Sequence, residues 1–312
     1  MILLAACGAP PATIAEAPRE PDVRAVLPEG ASLIALARPR ELFDASPSAR
    51  VIRGVVPDAQ LESIRIHHGI DLRTLEHAAY ASYEAGESAG DVIVLQGPFR
   101  SEVAVAEIAH RMVPRESSVQ EPHPRAGGVM RGTRIDAVAI GAHTLVIVIG
   151  PPALTARVLR TLEGTSPPAI AGPIAQALDA HTEPLTVMRP IPLALPIDTP
   201  VGMLLAEEES LLLSASPTLA GTVRVRIDLG GHFPEGSEAN FRRLVASIAQ
   251  STMGMALGLR SAVPSLQVSA TDTSIALSAD LDADEVARGL GLLFRAEITD
   301  ALGDPSASDT TN

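Results

Sequence analysis

The chain has 312 residues, 46% of them hydrophobic, and a formal charge of −13, so it can bury a core, wholesale disorder is excluded, and its field repels nucleic acid as a partner. All 24 basic residues are arginine, which removes Schiff-base, pyridoxal-phosphate, P-loop-lysine and Ser-Lys chemistry. There is no Trp, and Cys7 is the single cysteine, so aromatic platforms are scarce and internal disulfides, thiolate zinc sites and iron–sulfur clusters are impossible.

Leu4-Ala5-Ala6-Cys7 is the sharpest local signal. An aliphatic residue, two small ones and a cysteine form a lipobox: the small side chains fit a narrow peptidase cleft, and the thiol is the nucleophile that takes up diacylglycerol. The chain resembles bacterial envelope lipoproteins of unknown function, in this lipobox, in the Pro/Ala-rich tether that follows, and in repeated strand–helix modules. That resemblance implies an extracytoplasmic domain held on a membrane by a lipid at Cys7, with no catalysis attached to it. Gly8 stands where Asp would retain such a protein at the inner membrane, which leans toward the outer membrane, facing the periplasm. The six residues before Cys7 hold no arginine and only a short apolar run. A full secretory signal would have to extend upstream of Met1.

The expected organisation is a truncated lipoprotein signal at 1–7, a tether at 8–22, a first α+β module at 23–165, a second at 166–300 and a disordered tail at 301–312. In the first module, 31–37 reads as a strand. Two short helices follow, the second started by Asp58 and ended by Gly69. Strands are expected at 78–84 and 91–96 around a turn at Gly86–Gly90. A helix then places Val105, Ile108, Ala109 and Met112 on one face and stops at Pro114. After a strand at 144–149, a helix aligns Leu154, Val158 and Leu162. No element is assigned between Pro114 and His143.

The boundary is the Pro-rich stretch 166–173. The second module is expected to hold a short helix at 174–180, a Pro-interrupted extended run at 185–197, and strands at 201–206, 210–214 and 222–229. Its longest helix is expected over 235–259, burying Phe241, Leu244, Val245, Ile248, Met255 and Leu259. Strands at 266–270 and 274–279 and a helix carrying Val286, Leu290 and Leu293 complete it. The fold class is therefore α+β: two related modules of mainly antiparallel or mixed sheet, with amphipathic helices packed on one face. No stretch after Cys7 reaches the roughly 18 apolar residues of a membrane span.

Several patterns invite chemistry. Gly86-Glu-Ser88-Ala-Gly90 fits the G-x-S-x-G nucleophile elbow, but that elbow needs a helix after the serine, and Asp91–Leu95 reads as a strand. Of the histidines downstream, His143 and His181 sit in no recognisable loop motif. Asp280-Leu-Asp-Ala-Asp-Glu285 has the alternating acids of a calcium loop but lacks its Gly and distal Glu. Helix initiation explains it, with Asp282 as cap and Glu285 completing a capping box. His67 and His68 suit a helix C-terminus. With His77, His110 and His123 they form no metal-binding spacing. Arg38, Arg40, Arg50 and Arg53 read as a solvated face, and Glu207–Glu209 as a solvated turn.

The expectation is a non-enzymatic binding or structural lipoprotein, without cofactor or metal, that meets an envelope protein. One alternative is a carrier whose sheet and helices enclose an aliphatic cavity for lipid or another apolar ligand; the other is a serine hydrolase using Ser88. A void between sheet and helix lined by Leu, Val and Met separates the carrier from the solid interaction domain.

Overall fold

A computed structural model describes residues 20–84, 86–116, 123–190 and 208–302. Cys7, most of the tether, the strand expected at 201–206 and the tail from 303 lie outside the described residues.

The first half contains β1 (Leu33–Ala37), α1 (Pro39–Asp44), α2 (Ser46–Val55), α3 (Asp58–His68), β2 (His77–Tyr83), β3 (Gly90–Gln96), α4 (Ser101–Ala109), β4 (Val113–Glu116), β5 (Arg125–Met130), β6 (Thr133–Ala139), β7 (Thr144–Ile149) and α5 (Pro152–Leu162). The second contains α6 (Gly172–Asp179), β8 (Leu185–Arg189), β9 (Glu208–Pro217), β10 (Thr222–Gly231), α7 (Ser237–Gln250), α8 (Thr252–Ala256), α9 (Leu259–Ala262), β11 (Gln267–Ala270), β12 (Ser274–Asp282) and α10 (Ala283–Leu302).

The strands form one twelve-stranded antiparallel sheet in the order β11-β12-β10-β9-β8-β1-β2-β3-β7-β6-β5-β4. The fold is α+β and the modules are related. Reading outward from the centre, β1-β2-β3-β7-β6 repeats the connectivity of β8-β9-β10-β12-β11, with β4 and β5 added in the first half. The equivalent strands β1 and β8 pair antiparallel, Ile34 opposite Met188 and Leu36 opposite Thr186. This is the topology of a twofold repeat whose axis passes through the sheet. The 165/166 boundary thus falls between two helices without dividing the sheet.

Strand sequence decides which faces are covered. In β7, Leu145 through Ile149 is an unbroken apolar run, and both sides are buried. Val146 and Val148 join a core with Leu154 and Val158 of α5 and Leu178 of α6, whereas Leu145, Ile147 and Ile149 meet Val105 and Ile108 of α4. In β10, Val223, Val225, Ile227 and Leu229 alternate with Thr222, Arg224, Arg226 and Asp228, the pattern of a sheet with one wet face. Cross-strand partners carry Ile147 through Ile93, Tyr80, Ala35, Val187 and Leu213 to Ile227. The apolar side of β10 therefore lies on the α4 face, where α7 packs against it through Phe241, Leu244 and Val245. Over the first half of the sheet a second helical layer, α5 together with α6 of the second half, also covers the opposite face.

Four expectations need correction. The unassigned stretch after Pro114 holds β4, β5 and β6, the last two joined by a tight turn at Arg131 (φ 51°) and Gly132 (φ 83°). The helix expected over 235–259 ends at Gln250 and continues only as the short α8 and α9. Gly254 sits where a Cβ would lie 2.0 Å from the Ile248 carbonyl oxygen, and Gly258 is left-handed at φ 72°. The longest helix is α10, at 20 residues. Finally, Glu20 and Pro21, expected in the tether, are tied to the fold: the Glu20 carboxylate accepts from the Thr144 hydroxyl (2.7 Å) and the His143 amide (3.1 Å), and Gln96 donates to the Pro21 carbonyl.

Candidate functional site

The alternation in β10 and β12 turns Val225, Ile227, Leu277, Ala279 and Leu281 toward the helices. A straight helix from 237 to 259 would lie along that floor. Because α7 stops at Gln250 and α9 starts only at Leu259, the roof is built in pieces, from Val245 and Ile248 of α7, Leu259 and Ala262 of α9, and Val263 and Leu266 of the turn before β11. The pieces leave a pocket of about 190 Å³ whose only polar lining residue is Ser278. Phe233 and Phe241, edge to face with centroids 6.1 Å apart, belong to the packed core beside it. Of the residues expected on the buried side of this helix, Ile248 is 38% and Met255 51% exposed. In the first half, α4 packs on the sheet through a buried cluster that includes Phe99, Val105, Ile108 and Met112.

The pocket residues were visible in the sequence only as ordinary periodicity. The signal that separates them from plain core is the pair Gly254 and Gly258 inside an otherwise apolar helical run.

The other singled-out residues lie apart from this pocket. Ser88 ends a 3-10 turn, Gly86–Ser88, and β3 follows it directly, so the strand–serine–helix arrangement of a nucleophile elbow is not formed. His143 stands at the opposite end of β3, since Gln96 pairs with Thr144 while Asp91 pairs with Ile149, and its Nδ1 contacts the Phe99 carbonyl. His181 lies between Glu183 (3.4 Å) and Asp228 (3.9 Å).

At the start of α10, the Asp282 carboxylate accepts from the amides of Asp284 and Glu285, both at 3.0 Å, which is the expected cap. The reciprocal half of the capping box is not made: Glu285 instead accepts from the Ser261 hydroxyl at 2.5 Å, tying α10 to α9. His67 and His68 close α3 before left-handed Gly69, as expected. Burial pushes the His68 pKa down, and the positive charges of Arg111 and His67 add to that. The four arginines are paired, Arg38 with Glu41, Arg40 with Asp44, Arg53 with Asp58, and Arg50 with Asp284 across to α10. The expectation for Glu207–Glu209 needs correction, because Glu208 opens β9 and is only 2% exposed. Among the described residues no group of His, Cys, Asp and Glu could hold a metal, and no helix is long and apolar enough to cross a membrane.

No family model matches the chain, and no curated protein matches it. Solved structures do. The structure of crystal form I of TP0453 aligns with 88% of this chain and 98% of that one at a TM-score of 0.53 and 10% identity. Crystal form III of TP0453 aligns over 88% and 99%, with the same TM-score and identity. Likeness at that identity is a likeness of architecture, and the chain is similar to TP0453 in fold across nearly its whole described length.

Proposed function

We propose that this chain is an envelope lipoprotein, anchored through a lipid on Cys7, whose second module binds an apolar ligand beneath α7–α9. The observation that carries the reading is the pocket itself, an aliphatic space between sheet and helices in the second module. A cavity of roughly 150 Å³ lined by aliphatic side chains stays dry and accepts a benzene-sized molecule. The pocket here, about 190 Å³, is open to solvent along one side rather than enclosed, and suits a segment of one acyl chain. Burying a methylene is worth about 0.8 kcal/mol, so six of them contribute about 5 kcal/mol. That gross gain alone corresponds to a dissociation constant of about 0.2 mM, and the cost of immobilising the ligand weakens binding into the millimolar range. The anchor rests on the lipobox, the lone cysteine and the tether.

Two measurements test the parts separately. Straight-chain alcohols should displace a polarity-sensitive dye from the purified protein. Val245→Phe should weaken that binding at least tenfold without lowering the melting temperature by more than a few degrees. Undiminished binding in that variant would exclude the pocket. For the anchor, an alkynyl fatty acid should label the protein in a bacterial host when a complete signal precedes it. Labelling that persists in Cys7→Ser would exclude Cys7 as the site.

A further inference from the structure

On the far side of β12 from the apolar pocket lies a second space of about 440 Å³, and its chemistry is the opposite. Alternation explains the contrast: Leu277, Ala279 and Leu281 face the helices, while Ser278 and Asp280 face out with Ser214 and Ser216 of β9 and Arg224 and Arg226 of β10. In the first half the corresponding face is covered by α5. In the second half α10 turns away and packs on α2 instead, leaving the groove open. The two spaces are bordered in common by Leu266, Ser278 and Ala279 at one edge. Beyond Ser278 no strand among the described residues pairs with the outer edge of β12, and the Ser265 hydroxyl accepts from the Asp280 amide instead, at 2.9 Å.

The groove is built for a polar group. Arg224 holds Asp280 through Nε (2.7 Å) and Nη2 (3.0 Å), and Arg226 holds Asp228 in the same way at 2.7 and 2.8 Å. A guanidinium has five N–H donors. Each of these forks uses two, so each arginine keeps three donors on a head already fixed in place. The Arg224 guanidinium also holds the Asp280 carboxyl below the usual carboxylate range, so the pair stays ionised at neutral pH. Ser214 is fully buried in the floor, and its hydroxyl has no hydrogen-bond partner among the described residues. The groove is lined by Arg224, Arg226, Asp280 and Glu183, and Asp228 is bound to Arg226 beside it, so charges of both signs are present. Charges of both signs favour a ligand that itself carries a separated cation and anion, and the excess of carboxylates and the net charge of −13 disfavour a simple anion.

We infer that the ligand is a single-chain zwitterionic amphiphile, its tail in the apolar pocket and its head, a phosphate bearing an ammonium, in the groove on the other face of β12. This rests on the apolar-pocket reading above. In this arrangement the phosphate oxygens accept from the spare donors of Arg224 and Arg226, and the ammonium lies against Asp280 and Glu183.

The test compares three probes of equal chain length on the full chain, each below its micelle concentration: a lysophosphatidylethanolamine, a fatty acid and a fatty alcohol. The zwitterion should bind at least tenfold more tightly than the alcohol. Arg224→Gln/Arg226→Gln should abolish that advantage and leave the alcohol's affinity unchanged; both side chains are half exposed, so the fold should persist. Equal binding of all three probes, tightest binding of the fatty acid, or an unaltered preference in the double variant would overturn the inference while leaving the apolar pocket standing. Failure of all three to bind would remove the pocket reading, and this inference with it.

Discussion

Asp136→Ala should destabilise the protein by about 3–5 kcal/mol, the range for removing one partner of a buried ionic group, and lower its melting temperature on the order of 10 °C. Asp136 lies in β6 on the face covered by α5, and it is fully buried. One carboxylate oxygen accepts from the Thr155 hydroxyl of α5 at 2.6 Å, and the guanidiniums of Arg125 and Arg134 lie 3.5 Å away. Truncation leaves the equally buried Thr155 with nothing to donate to. Thr155→Val should cost less, about 1–3 kcal/mol, since the guanidiniums still neutralise the carboxylate. Removing both polar groups together is the informative case. Asp136→Ala/Thr155→Val should recover only the part of the loss that comes from orphaning the Thr155 hydroxyl, because Arg125 and Arg134 still lack their carboxylate. Chemical denaturation of the two single variants and the double variant measures the coupling directly. Strict additivity would show that the two groups do not act as a pair.

Leu154→Ala should cost about 2–5 kcal/mol. Leu154 is fully buried in the first turns of α5, where the chain leaves β7 and folds back over the sheet. Its side chain fills the corner formed by Gly90 and Gly150, with Cδ2 3.1 Å and 3.5 Å from where their Cβ atoms would stand. The cavity left by truncation cannot be refilled from the strand. A methyl group at Gly90 would lie 2.3 Å from the Ile149 carbonyl oxygen, on a residue at φ 151°. Gly90→Ala combined with Leu154→Ala should therefore be less stable than Leu154→Ala alone. A rescue of melting temperature in that double variant would contradict the geometry.

The elements that could be read from sequence are those in which local pattern and tertiary environment agree. The continuous run of β7 and the alternation of β10 and β12 each imply a strand and also how many of its faces are covered. β5 was illegible because Arg-Ala-Gly-Gly-Val-Met carries two glycines in six residues, and its identity comes from pairing with β6, where Gly128 lies opposite Ile135. At that position a Cβ would be 2.7 Å from Met112 and from the Val113 carbonyl, so glycine serves close packing there rather than a turn. The break after α7 was hidden for the opposite reason. Its apolar residues keep helical period straight through Gly254 and Gly258, so periodicity alone continues the helix. The candidate site shares that blindness. Each wall was visible as amphipathic pattern, but the void arises from the mismatch between a segmented roof and a continuous floor, which no single window of sequence contains. The lipid anchor proposed at Cys7 is the reverse case, since it rests on four adjacent residues and makes no use of the fold.

The antiparallel pairing of β1 with β8 has a consequence for how the chain is made. Until β8 emerges, the first half presents β1 as a bare edge, five residues with no Pro and no charge. Such an edge is a template for another strand. The equivalence of β1 and β8 means that the strand best shaped to cover it, other than β8, is β1 of a second copy. A half-length ancestor could have closed its sheet in this way as a symmetric dimer, and duplication with fusion would have converted that encounter between two molecules into one within a single chain.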